Sequence, residues 1–497
     1  MKPLKILMVT SEVSPLAKTG GLADMVSGLS FALAELGHDV RIVLPRYSSI
    51  GNHVVSVIGP HMLDVRRGLM TGTATAEEVA LRAMGAEGNR RPKFFTIRKD
   101  EYYARSGLYQ ESGKDYPDNL ARFAFFCSAV LELMALWEKV DGWIPDVVHG
   151  HDWQTSLLPV YLKSEVSNRS RVSVTRTLLT IHNIGYQGIF PGEQFESLGL
   201  PLDRFTPRTL EFYGSVNVLK GGIIFADALT TVSPTYCREI QTAEYGFGLE
   251  GVLRERGDHL TGIVNGIDTV VWNPETDPWI AARYSIADRS GKATCKSALQ
   301  EECGLPIRKV PLLAVVSRLV SQKGIDLVID AASIVLEREV QLVVLGTGDP
   351  DLEAQLSALE ARHADKVKVF IKFDEGLSHR IQAGADMFLV PSRYEPCGLT
   401  QLYSLRYGTV PIVRRTGGLA DTVVGVADSP RRRKSTGFLF DEPSGTALAT
   451  VIDSALTKYR SKVLWSNLIL RGMQVDFSWE ESARQYAKAY EAVATRS

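Results

Sequence analysis

Cysteine is scarce and poorly placed for structural use. The five residues, Cys127, Cys237, Cys295, Cys303 and Cys397, are odd in number and form no C-x-x-C pair. That argues against a disulfide framework and a zinc knuckle, and fits a reducing cytoplasm. A surplus of either charge is also missing. Lys plus Arg number 56 against 57 Asp plus Glu, so overall charge gives no reason to expect nucleic acid or an acidic membrane as partner. Any anionic ligand must then be held locally. Long apolar runs are lacking too: the longest, Ala124 to Trp137, is interrupted by Ser128 and Glu132 and falls short of the ~18 residues of a membrane span. The apolar run that follows Lys2 and Lys5 is too short for a signal-peptide core and reads as a buried strand. No low-complexity linker divides the chain. The one dense basic run, Arg431 to Lys434, reads as a solvated loop between elements.

What the chain does have is length and alternation. At 497 residues and 45% hydrophobic content it exceeds the size of one core, so two domains are expected. Short aliphatic runs recur, each followed by a stretch of helical periodicity, which is the pattern of βα units around parallel sheets. Strands are expected over 5–9, 40–44, 146–149, 178–182 and 228–233, then over 312–317, 342–346, 367–371, 387–391 and 410–413. Leu22, Met25, Val26, Leu29, Leu33 and Leu36 form one apolar stripe of a first helix that stops at Gly37. Helices are also expected near 325–336, 351–363 and 399–407. The reading is two facing doubly wound domains, 1–261 and 262–475, with a hinge near Gly262–Asp268. A helix from Trp479 to Ala494 packs back on the first domain.

One hexapeptide occurs twice: Thr19-Gly20-Gly21-Leu22-Ala23-Asp24 is repeated as Thr416-Gly417-Gly418-Leu419-Ala420-Asp421, preceded by Lys18 and Arg415. Both copies follow a strand and open a helix. Each half therefore places a glycine turn at the carboxyl edge of its sheet, where open α/β sheets bind ligands; a purely structural tight turn is the alternative.

Three further segments can carry chemistry. Arg318 and Lys323 leave one strand end together and suit phosphate oxygens. In Glu395-Pro396-Cys397-Gly398-Leu399-Thr400, Gly398 lets backbone approach a ligand while Glu395 can accept from sugar hydroxyls. His149-Gly150-His151-Asp152-Trp153 and His182-Asn183 follow strands in the first domain, and a polar sugar site accounts for Asp152, His182 and Asn183 better than a metal does. Asp349-Pro350-Asp351 is better read as a helix cap than as a metal motif. Tyr102, Tyr103, Trp153 and Tyr186 can stack on sugar rings, with core packing as the alternative for each. The Gly20-Gly21 turn and Gly346-Thr347-Gly348 both lack the third glycine of a dinucleotide fingerprint, which counts against a dehydrogenase.

Taken in order, Lys18-Thr19-Gly20-Gly21-Leu22, His151-Asp152-Trp153, His182-Asn183, Ser317-Arg318-Leu319, Gln322-Lys323-Gly324, Glu395-Pro396-Cys397-Gly398-Leu399 and Thr416-Gly417-Gly418-Leu419 resemble the motifs of bacterial glycogen synthases and plant starch synthases. These are retaining glycosyltransferases of the GT-B fold, an α/β architecture of two Rossmann-like domains with a deep cleft. The resemblance implies transfer of glucose from ADP-glucose to an α-1,4-glucan or glycogen end, with no metal and no organic cofactor. It assigns Lys18, Gly20, Gly21, Arg318, Lys323, Cys397, Gly398, Leu399, Thr400, Thr416, Gly417 and Gly418 to the donor. Glu395 goes to the donor glucose, and Asp152 and His182 to the reacting sugar. Tyr102, Tyr103, Trp153, Asn183 and Tyr186 are the acceptor candidates. Related sucrose and trehalose-phosphate synthases often carry a second glutamate eight residues after the first, where this chain has Tyr403. A glucan-binding homologue without catalysis is opposed by the presence of Lys18, Arg318, Lys323 and Glu395.

Overall fold

A computed structural model describes residues 2–81, 90–164, 175–427 and 434–495, so most of the basic run, Arg431 to Arg433, lies outside the described residues. The chain divides into two compact units. The first runs to Val232, resumes over Cys237–Gly266 and ends with the segment from Trp479 onward; the second comprises Ser233–Tyr236 and Ile267–Ser478. Gly262 to Gly266, expected to begin the second domain, thus belong to the first unit.

In the first unit a nine-stranded sheet has the order Leu260–Gly262, Ala228–Thr231, Arg176–Ile181, Val147–His151, Lys5–Val9, Asp39–Pro45, Lys93–Arg98, Met70–Leu81, Val54–Arg67. The first seven strands are parallel. Their near-continuous aliphatic runs are explained by burial on both faces: Ile6, Leu7, Met8 and Val9 have no solvent exposure. The last two form an antiparallel hairpin at the edge. The sequence reading did not include this hairpin, whose outer strand is largely exposed.

The apolar run at 124–137 sits in a helix, Asn119–Val140, that is long and apolar enough to cross a membrane, and this corrects the expectation that it falls short. Most of its hydrophobic surface, including Phe123, Phe125, Phe126, Leu133 and Met134, is buried within the unit. The helix Trp479–Ala494 lies against Gly21–Glu35 in the same unit.

The second unit holds six parallel strands in the order Val367–Ile371, Gln341–Gly346, Leu312–Val316, Met387–Val390, Val410–Arg414, Phe438–Phe440. Helices Ile325–Val335 and Gly445–Tyr459 pair on one face, and Gly291–Glu302 and Glu375–Gly384 on the other. In both sheets the strand order reverses once. The reversal lies between Lys5–Val9 and Val147–His151 in the first, and between Leu312–Val316 and Met387–Val390 in the second. Loops leaving those strand ends diverge to opposite sides, and the crevice between them is the ligand position of open α/β sheets.

Candidate active site

In the first unit the strand Lys5–Val9 runs into Glu12, a buried carboxylate. Glu12 accepts from Thr19 N (2.5 Å), Thr19 Oγ1 (2.6 Å), Gly20 N (3.3 Å) and the Tyr109 hydroxyl (2.7 Å). This carboxylate therefore holds the first glycine turn in place. Sequence reading missed it, because its partners lie 7, 8 and 97 positions away. The turn itself is open: Gly20 is extended (φ −159°) and a Cβ built there meets nothing within 4 Å. Lys18 is exposed and paired with Asp24 (2.8 Å).

Beside it, strand Val147–His151 delivers Asp152 with a left-handed φ of 55°. That conformation turns the carboxylate back onto the next strand, where Oδ1 accepts from the His182 amide (2.7 Å). The Asp152 carboxyl is pushed up to about 7, chiefly by desolvation, against the stabilising amides of His182 and Asn183. His182 Nε2 lies 3.1 Å from His151 Nδ1, and burial pulls the His182 ring down to about 3. His151 Nε2 has no hydrogen-bond partner among the described residues. An orphan lone pair is tolerated better than an orphan N–H, so we assign the His151 proton to Nδ1, which leaves the His182 proton on Nδ1. His149 is spanned by Tyr490 (2.8 Å, at Nδ1) and Thr180 (2.6 Å, at Nε2). Those bonds, and the Asp349 side chain capping its helix through Asp351 N (2.9 Å), give both motifs structural partners.

The aromatic candidates separate. Tyr103 is fully buried with its hydroxyl on Arg122 O (2.9 Å), and Trp153 packs edge-on to Phe123 and Phe190. Both rings are buried, so core packing, the alternative weighed for each, accounts for their positions. Tyr102 is half-buried, Asn183 is half-buried and accepts from Gly185 N, and Tyr186 is exposed.

In the second unit the loops after Val316 and Val390 enclose a pocket of about 110 Å³ lined by Ser317, Arg318, Lys323, Ser392, Glu395 and Gly398 to Thr400, among others. Lys323 Nζ and Ser392 Oγ both donate to Glu395 Oε2, at 2.6 and 2.9 Å. Arg318 makes no ion pair among the described residues; its guanidinium reaches only Gln322 Oε1, at 3.4 Å. The loops are pinned from behind by Arg393, which is paired with Asp326 (2.6 Å). Gly324 supports them as well: its φ is +67°, and a Cβ there would strike Pro391 O.

The second glycine turn is built differently from the first. Thr416, Gly417 and Gly418 are buried, and the Gly418 amide is already taken by Glu395 O (3.0 Å). Any Cβ on either glycine would collide with the backbone of Glu395 or Cys397. This copy braces the Glu395 loop. Tyr403 lies flat on Trp272 (3.8 Å, 9°), whose other face carries His379 (3.9 Å, 9°). The position where related enzymes carry a second glutamate is here part of an aromatic stack.

Comparison with known proteins gives a consistent result. Residues 5–255 match the family described as starch synthase catalytic domain, and residues 304–467 match glycosyl transferases group 1. A glycogen synthase of Anaeromyxobacter sp. (strain Fw109-5) is 46% identical over 99% of this chain and 100% of its own length. One from Syntrophotalea carbinolica is 45% identical over 98% of each. Among solved structures, the catalytic domain of starch synthase IV from Arabidopsis thaliana, bound to ADP and acarbose, superposes with a TM-score of 0.88. It is 33% identical, with 100% of each chain covered. Sucrose-phosphate synthase from Thermosynechococcus elongatus, at 18% identity and a TM-score of 0.58 over 98% of each chain, shares the fold.

Proposed function

We propose, from the premise that this chain belongs to the glycogen and starch synthase family of GT-B glycosyltransferases, that it transfers glucose from ADP-glucose to the non-reducing end of an α-1,4-glucan with retention of configuration. The observation that carries this reading is the second-unit pocket, in which Lys323, Glu395 and Arg318, which makes no ion pair among the described residues, converge at the switch point of the sheet. A diphosphate leaving group requires positive charge that is in place before the bond breaks. We assign Arg318 and Lys323 to that task, with Lys18 and the open Gly20 turn of the first unit also assigned to the donor phosphates. Glu395 receives hydroxyls of the donor glucose. Cys397 and the amides near Gly398 to Thr400 are assigned to the donor as well, while Thr416, Gly417 and Gly418, also read from sequence as donor residues, brace that loop.

Asp152 and His182 are assigned to the reacting sugar. Because desolvation holds His182 neutral, it acts as a hydrogen-bond donor and not as a charged acid. In the step itself the bond from the anomeric carbon to the phosphate oxygen breaks, and the glucan 4-hydroxyl oxygen forms the new bond on the same face. The hydroxyl proton passes to the departing phosphate oxygen, so no protein nucleophile is needed.

The test is incorporation of labelled glucose into glycogen from ADP-glucose and, separately, UDP-glucose, in excess EDTA. Transfer is expected from ADP-glucose without added metal, and Glu395→Ala should lose most of the turnover with an unchanged circular dichroism spectrum. Activity that is abolished by EDTA and restored by magnesium would defeat the fixed-cation reading. Near-normal turnover in a folded Glu395→Ala protein would defeat the assignment of Glu395.

A further inference from the structure

Two aromatic residues of the first unit occupy backbone positions that suit them poorly. Strands Glu211–Phe212 and Ser215–Asn217 pair antiparallel and are joined by the two residues Tyr213 and Gly214, with φ of 50° and 82°. Positive φ at both positions is the signature of a type I′ turn, which calls for Asn-Gly or Asp-Gly because a larger side chain crowds the backbone there. Phe247 and Gly248 repeat the arrangement, with φ of 51° and 85° and the turn closed by Leu249 N donating to Gly246 O (2.9 Å).

Tyr213 is 90% exposed, and Phe247, partly covered, is still 46% exposed. Two aromatic-glycine turns strain the backbone while keeping much of each aromatic side chain accessible, and strain of this kind concentrates at functional surfaces.

The two turns are neighbours on one rigid support. The Tyr213 ring meets Phe212 edge-on (centroids 4.8 Å apart, 77°), and a Cβ on Gly248 would lie 2.9 Å from Phe212 Cζ. Buried Gln187 ties the second turn to the small sheet, donating to Phe247 O (3.0 Å) and accepting from Asn217 (2.6 Å). Exposed Ile189, at 50%, lies on the adjoining strand of the same sheet, and Tyr186, at 57%, directly precedes Gln187.

We propose that Tyr213 and Phe247 form a stacking platform for glucose units of the glucan polymer, holding the chain while its end reacts. The proposal rests on the glucan-synthase reading for its choice of ligand. A polymer is the one partner of this enzyme that extends past the reacting residue, and the apolar faces of its pyranose rings are what exposed aromatic rings recognise.

Asn substitutions test the platform, because Asn favours the left-handed conformation and keeps the turn while deleting the ring. Tyr213→Asn, Phe247→Asn and the double variant are compared with wild type by affinity electrophoresis in native gels containing glycogen, without donor. Steady-state kinetics and melting temperatures are measured alongside. Each single variant should bind glycogen several-fold more weakly, and the double variant about tenfold or more weakly. The KM for glycogen should rise while kcat at saturating glycogen and the KM for ADP-glucose hold, and melting temperatures should be unchanged or higher.

Wild-type retardation in the double variant, or wild-type protein that glycogen does not retard at all, overturns the platform. So does a loss confined to kcat. Wild type that binds glycogen through these rings yet transfers no glucose would instead overturn the functional reading and leave the platform standing.

Discussion

At the scale of single residues, the repeated hexapeptide shows that identical letters do different work. In the first copy Gly20 is extended and faces open space, so the fold does not require glycine there; in the second, Gly417 has φ +43° and lies against the Glu395 carbonyl. Gly20→Ala should therefore melt as wild type while its KM for ADP-glucose rises about tenfold or more, because a methyl blocks the approach of phosphate to the turn. Gly417→Ala should lower stability by about 1–3 kcal/mol, seen as a reduced melting temperature, because its strain lies within the fold itself.

Asp152 adds a pH dependence at the same scale. Its folded carboxyl titrates at about 7, against ~3.9 in an unfolded chain. Between those values the folded state holds a proton that the unfolded state has released, so its contribution to stability is full below ~4 and falls as pH rises through about 7. As an acceptor of sugar hydroxyls it works ionised. Hence kcat/KM should climb through an inflection near 7, and Asp152→Asn should remove both that inflection and the matching slope in stability. His182, held near 3, should contribute no inflection in the usual assay range.

At the scale of elements, the C-terminal helix is the clearest case of a piece whose identity and placement come from different sources. Tyr486 and Tyr490 stand at helical spacing, and both are fully buried. Where the helix docks depends on distant small residues. Trp479 fills space in which a Cβ on Gly28 or Gly266 would collide with it, Ser482 donates to Val264 O (2.7 Å), and Tyr490 reaches His149. Removing the indole leaves a cavity among these close contacts, so Trp479→Ala should cost about 3–5 kcal/mol. Chemical denaturation followed by circular dichroism should show the loss; a change of a few tenths would mean that the helix docks through its tyrosines alone.

At the scale of the whole molecule, strand and helix period, glycine punctuation and the order of the motifs sufficed to identify two doubly wound units and to place the candidate residues at strand ends. Those signals are local: a strand buried on both faces must be apolar throughout, as in Leu312–Val316, and a turn at a strand end must be small, as at Gly398. The edge hairpin Val54–Arg67 and Met70–Leu81 escaped because its strands lie at the sheet edge, antiparallel and outside the βα alternation that marks the rest of the sheet.

Folded proximity decided the rest. It set Glu12 beneath the first glycine turn, Lys323 on Glu395, Tyr403 against Trp272, Tyr103 and Trp153 in the core, and Tyr213 and Phe247 on adjoining turns. Each of these depends on contacts between residues far apart in the chain, and hydrogen bonding, burial and desolvation act through distance in space, which residue order alone does not carry.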